Sequence, residues 1–253
     1  MGISLMARAF GRRSPAAAAQ PIRIDDVTIG EPVILTTPRA TARVQAARGV
    51  AQRSPCAVET EAAAGRPVRH FEAWIGAGSA SGGAPMLPAS VSLCRPAQVG
   101  QADIDTLFFH GPAFRVVRGA TLVDGAMLCE MQTDPPALTR RRLPGGLLLE
   151  PRWIELCMQA AGLLAIATDA RMMIPQHIGR IETVPAPPAD PPRRLFAYAG
   201  KASHGGGFYM ERVDQDRRPR LRVIDYRARA LPFPSDPAAA RGLAQKFAVV
   251  RPA

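Results

Sequence analysis

Apolar and polar positions follow a helical period in only two stretches of the chain, near residues 1–10 and residues 152–168. The core of the second stretch, Trp153–Ile166, is apolar except for Glu155 and Gln159. These two residues are four positions apart, about one turn, so they share a face of the predicted helix. Apolar surroundings raise the pKa of a carboxyl group, which suits a general acid or base. A glutamate near the start of a buried helix is equally explained by the helix dipole.

The remaining pattern predicts strands and turns. Residues 114–131 are predicted to form two strands around Asp124-Gly125, a dipeptide that favours tight hairpins. The 25 prolines and 22 glycines agree with many turns and therefore many short strands. Two helices separated by strands, in two successive halves, favour an α+β fold over a helix bundle or a parallel α/β sheet. Further alternating segments are predicted as strands at 39–47, 56–60, 69–75, 195–202 and 208–213.

Size and charge narrow the function classes. A chain of 253 residues with 47% hydrophobic residues can bury one large core or two small ones. The formal charge is +11 and comes almost entirely from arginine, which suits an acidic partner. Aromatic residues are only 6% of the chain and no nucleic-acid motif is visible, so nucleic-acid binding is not expected.

Cysteine and histidine spacing predicts neither disulfides nor a metal site. The four cysteines are far apart and are expected to be reduced and mostly buried. No pair of histidines has the spacing of metal ligands. The longest apolar run, 160–167, is too short to cross a membrane, and no signal peptide is evident, so a cytoplasmic location is expected.

The segment 108–114 reads Phe-Phe-His-Gly-Pro-Ala-Phe. It resembles the Tyr-Gly-Pro-x-Phe signature of polyketide synthase dehydratase domains, with His110 in place of the tyrosine. In that family a helix with Asp-x-x-x-Gln or Asp-x-x-x-His follows at about this distance and supplies the catalytic acid. Here the matching residues are Glu155 and Gln159. Glutamate is a departure, but the stand-alone β-hydroxyacyl carrier-protein dehydratases use Glu-x-x-x-Gln-Ala, which Glu155–Ala160 matches.

The resemblance implies a double hotdog fold, in which each half is a long helix wrapped by a curved antiparallel sheet. It extends over roughly residues 1–232, and it implies further strands at 24–35, 173–181 and 220–231. The implied organisation is an incomplete N-terminal hotdog at 1–78, a linker at 79–104, a C-terminal hotdog at 105–232 and a tail at 233–253. The last part of this tail, residues 235–253, is polar and alanine-rich and has no clear structural pattern.

The first helix resembles the middle of a hotdog helix that has lost its acid. Ser4 and Arg8 stand where the family helix often has Glu and Gln. In polyketide dehydratases the catalytic histidine comes from the first half, shortly before this helix, so the base is expected to be missing from this chain. The loop Arg142–Gly145 resembles the Phe-Pro-Gly loop of the stand-alone enzymes without its histidine. His70, His177 and His204 are expected to have structural roles.

The resemblance implies dehydration of a β-hydroxyacyl thioester in polyketide or fatty-acid biosynthesis. Glu155 would protonate the departing hydroxyl, and Gln159 would orient either Glu155 or that hydroxyl. Backbone N–H groups near Gly111 or Gly145 would polarise the thioester carbonyl. His110 is the first candidate for a base within the chain. The expected acyl-pocket residues are His110, Gly111, Pro112, Phe114 and Trp153.

No cofactor or metal is implied, because the substrate is carried on the phosphopantetheine of an acyl carrier protein. The implied partners are this carrier protein and other polyketide synthase domains, and a homodimer would cover the incomplete first half. Two alternatives stay open. One is a catalytically inactive double hotdog that binds acyl chains or carrier proteins. The other is a hotdog thioesterase, which also uses a carboxylate on its central helix.

Overall fold

A computed structural model describes most of the chain. The described residues are 1–13, 20–32, 41–49, 53–61, 66–78, 85–133, 136–138, 147–184, 194–202, 206–231 and 237–248. Within them, no helix combines the length and apolar character needed to cross a membrane. The predicted loop at Arg142–Gly145 lies outside the described residues.

Two helices occupy the stretches with helical periodicity. Helix α1 spans Gly2–Arg13 and helix α3 spans Pro151–Asp169, as the apolar pattern predicts. A short helix α2, Gln101–Asp105, and a 3-10 turn, Pro112–Phe114, lie between them. The combination of these helices with a large antiparallel sheet confirms the α+β class.

The region after residue 235 differs from the prediction, because Pro237–Ala248 forms helix α4. Its buried residues Ala240, Leu243 and Phe247 recur at helical spacing and make one apolar face. This face packs beside α3. Because alanines lie on both the buried and the exposed face of this helix, the hydrophobic periodicity was too weak to predict it.

Within the described residues, eleven antiparallel strands form one sheet in the order β2-β3-β4-β1-β8-β11-β10-β9-β7-β6-β5. The hairpin predicted at Asp124-Gly125 is present as β6 and β7. The strands are β1 Ile22–Ile29, β2 Ala42–Ala46, β3 Arg53–Glu61, β4 Pro67–Ala77, β5 Val99–Gly100, β6 Val117–Val123, β7 Ala126–Met131, β8 Met173–Thr183, β9 Leu195–Lys201, β10 Phe208–Asp214 and β11 Pro219–Ala230.

The sheet wraps two helices, one in each half of the chain. Helix α1 packs on β2, β3 and β4, whereas α3 packs mainly on β6, β7, β9 and β10. The halves meet where β1 pairs with β8, with Ile24 opposite Ile181. The inward-facing residues of both halves belong to one continuous hydrophobic core. Backbone hydrogen bonds therefore join the halves directly. The limits of the four predicted segments stay a prediction.

Candidate active site

Helix α3 begins at Pro151, one turn before Glu155, and local sequence signals fix this start. The Glu150 side chain accepts a hydrogen bond from the backbone N–H of Arg152, which caps the helix, and Pro151 suits the first helical position. Glu155, Gln159 and Gly162 then follow at spacings of four and three, so all three lie on one helix face.

The segment 108–114 lies over this face. Phe108 packs against Gly162, where an added methyl group would stand only 3.2 Å from the ring. His110 is flanked by Phe108 and Phe109, each with its ring centroid 5.5 Å away. Arg115 donates from Nε to the carbonyl oxygen of His110 at 3.2 Å. Glycine at position 162 thus lets the loop approach the helix closely enough to present His110.

His110, Glu155 and Gln159 are brought together by this arrangement. His110 Nε2 lies 2.9 Å from Glu155 Oε1. Gln159 Nε2 donates to Glu155 Oε1 at 2.9 Å and to the carbonyl oxygen of Phe114 at 2.8 Å, and it lies 3.3 Å from His110 Nδ1. Gln159 is buried, whereas the Glu155 side chain remains 19% exposed. The Glu155 carboxyl group can therefore contact a small ligand while Gln159 keeps that carboxyl group in place.

The electrostatics of Glu155 differ from the expectation of a raised pKa. Burial raises its pKa, but hydrogen bonds and charge from His110 and the hydrogen bond from Gln159 outweigh burial, so the net pKa lies below its ordinary value. The apolar pattern of the helix indicated that Glu155 is desolvated. It could not show that His110 and Gln159 contact the carboxyl group. The lowered pKa favours the ionised form of Glu155, so Glu155 must gain a proton before it can act as an acid.

The other predicted pocket residues occupy different surroundings. Gly111 and Pro112 are exposed at the start of the 3-10 turn, and the carbonyl oxygen of Phe114 holds Gln159. Trp153 precedes Glu155 by two positions, so the two side chains point to different sides of the helix. The Trp153 ring instead lies over the Arg212 guanidinium, 3.8 Å from ring centroid to carbon. A direct role of Trp153 in acyl binding stays a prediction.

Two residues near the helix were missed by the sequence reasoning. Tyr226 is 3% exposed, and its pKa is raised by burial and then by the negative charge of Glu155. A bulge at Asp225, whose φ is 54°, turns Tyr226 inward where simple alternation after Val223 would point it outward. Arg212 is buried, and burial lowers its pKa to about 10. No sequence pattern marks either residue.

The remaining histidines differ in their surroundings. His70 is buried, with its ring nitrogens 2.7 Å from Thr60 Oγ1 and 2.6 Å from the carbonyl oxygen of Glu31. His177 lies in β8, and His204 lies outside the described residues. Within the described part of the chain, no three His, Cys, Asp or Glu side chains gather as metal ligands would.

Comparison with known proteins gives a family match and a set of similar folds. The sequence profile described as the polyketide synthase dehydratase N-terminal domain matches residues 96–236. No curated protein sequence matches the chain.

Among solved structures, the dehydratase domain from the CurJ module of curacin polyketide synthase is similar, with TM-score 0.67 and 16% identity. The match covers 94% of this chain and 83% of that one. A trans-AT polyketide synthase dehydratase domain from Brevibacillus brevis gives TM-score 0.67 at 13% identity, covering 88% and 83%. The dehydratase domain of RzxB from Pseudomonas fluorescens gives 0.60 at 15% identity, covering 83% and 76%. These likenesses confirm the predicted double hotdog fold.

Proposed function

This chain belongs to the polyketide synthase dehydratase family, and we propose that it removes water from a β-hydroxyacyl thioester, with Glu155 protonating the departing hydroxyl. Dehydration of β-hydroxyacyl intermediates in polyketide synthesis is the reaction of this family. One observation supports Glu155 as the acid. Its partly exposed carboxyl group contacts both His110 and Gln159.

The reaction requires two proton transfers at adjacent carbons. The α-carbon loses a proton to a base, the C–O bond at the β-carbon breaks, and the hydroxyl leaves as water after receiving a proton. A positioned carboxyl group can make such a transfer faster by about 10²–10⁴-fold. Gln159 orients Glu155 through a hydrogen bond to Oε1, which holds the carboxyl group in place for the proton transfer.

The substrate carrier follows from the family. Its members act within polyketide synthase modules on intermediates held by acyl carrier proteins. We propose an acyl carrier protein as the partner here as well, because its acidic surface suits a chain of formal charge +11. Gly111, Pro112 and Phe114 are proposed to border the acyl chain beside His110. A homodimer is a further proposal, which light scattering at high protein concentration tests.

Mass spectrometry of a 3-hydroxyacyl carrier protein tests the proposed function. The wild-type chain is expected to remove 18 Da from the acyl group, and Glu155→Gln is expected to slow this at least about 100-fold. Glu130→Gln is the matched control, because Glu130 is similarly exposed and bound by Arg194 at 2.8 Å but lies in β7. Wild-type turnover that Glu155→Gln leaves unchanged would remove Glu155 from the mechanism.

A further inference from the structure

Tyr226 occupies a different face of the sheet from the other two tyrosines of the chain. Tyr198 belongs to a separate apolar cluster around Leu87, and Tyr209 packs against that cluster. Tyr226 belongs to the main core, which also contains the buried residues of α3. Its ring is tilted against that of Phe208, with 6.0 Å between the ring centroids. Tyr226 is therefore the tyrosine that lies on the helix side of the sheet.

The hydroxyl group of Tyr226 has no partner but is not fully enclosed. It makes no hydrogen bond with any residue in the described part of the chain. Among the described side chains, the buried polar atoms without a partner are Ser4 Oγ and two guanidinium nitrogens of Arg212. The Tyr226 hydroxyl is not one of these atoms, so it retains accessible surface although the residue as a whole is 3% exposed. The hydroxyl therefore borders an open space inside the molecule.

This space adjoins Glu155. Burial raises the pKa of Tyr226, and the negative charge of Glu155 raises it further. The two groups must be near each other for this effect, because the interaction of charges weakens with distance. Strand β11 places the tyrosine there, since it contacts α3 and sets Tyr226 opposite Ile178 of β8. The phenol is thus protonated near neutral pH and can donate a hydrogen bond beside Glu155.

Packing alone does not account for the hydroxyl. A phenylalanine at position 226 would place the same ring beside Phe208 and would lose no hydrogen bond to a described residue. A polar group in an apolar core is costly unless it has a partner. A donor without a protein partner, close to a partly exposed carboxyl group, is suited to an oxygen atom of a bound ligand.

On the premise of the proposed dehydration, we propose that Tyr226 is a further catalytic residue, whose hydroxyl donates a hydrogen bond to the β-hydroxyl oxygen of the substrate. The same oxygen receives the proton of Glu155, which brings it into the space that Tyr226 borders. This oxygen gains negative charge as the C–O bond breaks, and a fixed donor stabilises that charge most in the transition state. The hydrogen bond also selects hydroxylated acyl thioesters over saturated ones, because only the hydroxyl group offers an acceptor at this position.

Tyr226→Phe removes this donor and keeps the ring. The kcat for dehydration of a 3-hydroxybutyryl pantetheine thioester is expected to fall about 10–100-fold, while urea unfolding stays as in wild type. Tyr198→Phe is the matched control, because Tyr198 is similarly buried, at 4% exposed, but lies in the separate cluster. Its kcat is expected to equal that of wild type. A Tyr226→Phe rate within about 2-fold of wild type would overturn the inference.

Ligand binding separates this inference from the proposed function and from a structural role of Tyr226. Glu155→Gln is the background, because slow turnover allows calorimetry with both the 3-hydroxybutyryl and the butyryl thioester of pantetheine. Adding Tyr226→Phe is expected to weaken binding of the hydroxylated ligand about 5–10-fold and to leave binding of the butyryl ligand unchanged.

The outcomes of this binding experiment differ for the two proposals. Equal loss of affinity for both ligands, or no loss for either, would overturn the role of Tyr226 even if the wild type dehydrates its substrate. Loss confined to the hydroxylated ligand, in a chain whose wild type does not dehydrate, would support Tyr226 as the donor to the hydroxyl and overturn the proposed function.

Discussion

The two long helices of this molecule occupy similar positions in their halves and carry different polar groups. In α1, Ser4 is fully buried, and its hydroxyl oxygen has no hydrogen-bond partner within the described residues. In α3, Glu155 has partners on its own helix and on the segment that covers it. Each helix also brings a glycine against a phenylalanine, Gly2 beside Phe71 and Gly162 beside Phe108.

The difference lies in what covers each helix. The segment over α3 supplies an imidazole and a backbone carbonyl, which together fix Gln159 and Glu155. A buried carboxylate without such donors would be costly, whereas a lone hydroxyl is tolerated at lower cost. Within the described residues, the polar contacts of the candidate site are therefore concentrated on α3 and not on α1.

The largest expected effect comes from replacing Glu155 of α3 with serine, the residue that α1 carries at position 4. Glu155→Ser removes the only carboxylate held by His110 and Gln159 in the described part of the chain. Dehydration is expected to fall by about 10³-fold, because the departing hydroxyl loses its proton donor. The far-ultraviolet circular dichroism spectrum is expected to stay as in wild type. Measurable turnover near the wild-type rate, by loss of 18 Da, would contradict the assignment.

The two halves can also be compared through the pH dependence of stability, because each has a buried aspartate in its sheet, Asp25 in β1 and Asp214 in β10. Burial raises the pKa of Asp214, but hydrogen bonds from Arg218 and Arg220 lower it by more, so the net pKa lies below its ordinary value. The pKa of Asp25 is likewise raised by burial and lowered by more through Arg23 and Arg180. A depressed pKa stabilises the fold above the unfolded-state pKa of about 4, and this stability is lost as pH falls through the folded-state pKa.

The second-half pair is the more buried, so its loss should cost more. The Asp214 and Arg220 side chains are 1% and 10% exposed, whereas Asp25 is 6% exposed beside arginines that are 36% exposed or more. Asp214→Asn is expected to cost about 3 kcal/mol of unfolding free energy at pH 7, and Asp25→Asn about 1 kcal/mol. Urea unfolding at pH 7 and pH 3 measures both, and each variant should lose less than wild type on acidification.

A methyl group on Gly162 tests how closely the covering segment must approach α3. Gly162→Ala would bring a carbon within 3.2 Å of the Phe108 ring and displace the segment that carries His110. The expected result is about a 10-fold lower kcat, because a small displacement of a reacting group is costly. Gly242→Ala in α4 is the matched control, since nothing lies within 4 Å of the added carbon. It should raise stability by up to about 1 kcal/mol and leave kcat unchanged.

The smallest expected effect concerns the helix without a carboxylate. Ser4→Ala removes a buried hydroxyl that has no hydrogen-bond partner in the described part of the chain. The unfolding free energy is expected to rise by about 1 kcal/mol, with dehydration unchanged. A urea titration measures the change. A loss of stability would show that the hydroxyl makes an interaction in solution that supports α1.

The sequence predicts what depends on local pattern and misses what depends on meeting in space. The apolar helix at residues 152–168 and the turn at Asp124-Gly125 are visible because burial and turn geometry act on neighbouring residues. Glu155 and Gln159 are visible because one turn separates them. The protonation state of Glu155 is not, since it depends on a loop more than forty residues away. Tyr226 is hidden by a one-residue bulge that reverses the strand alternation.

The pairing of β1 with β8 has a consequence for how this protein can be divided. The two halves share the hydrogen bonds between β1 and β8, so the facing edges of these strands are paired with each other and not with water. Cutting the chain between the halves would leave on each piece a bare strand edge, which readily recruits other chains. Separate expression of either half should therefore yield aggregates, and mixing the two pieces should restore soluble protein only if the ladder re-forms. The molecule is a repeat in architecture and a single unit in folding.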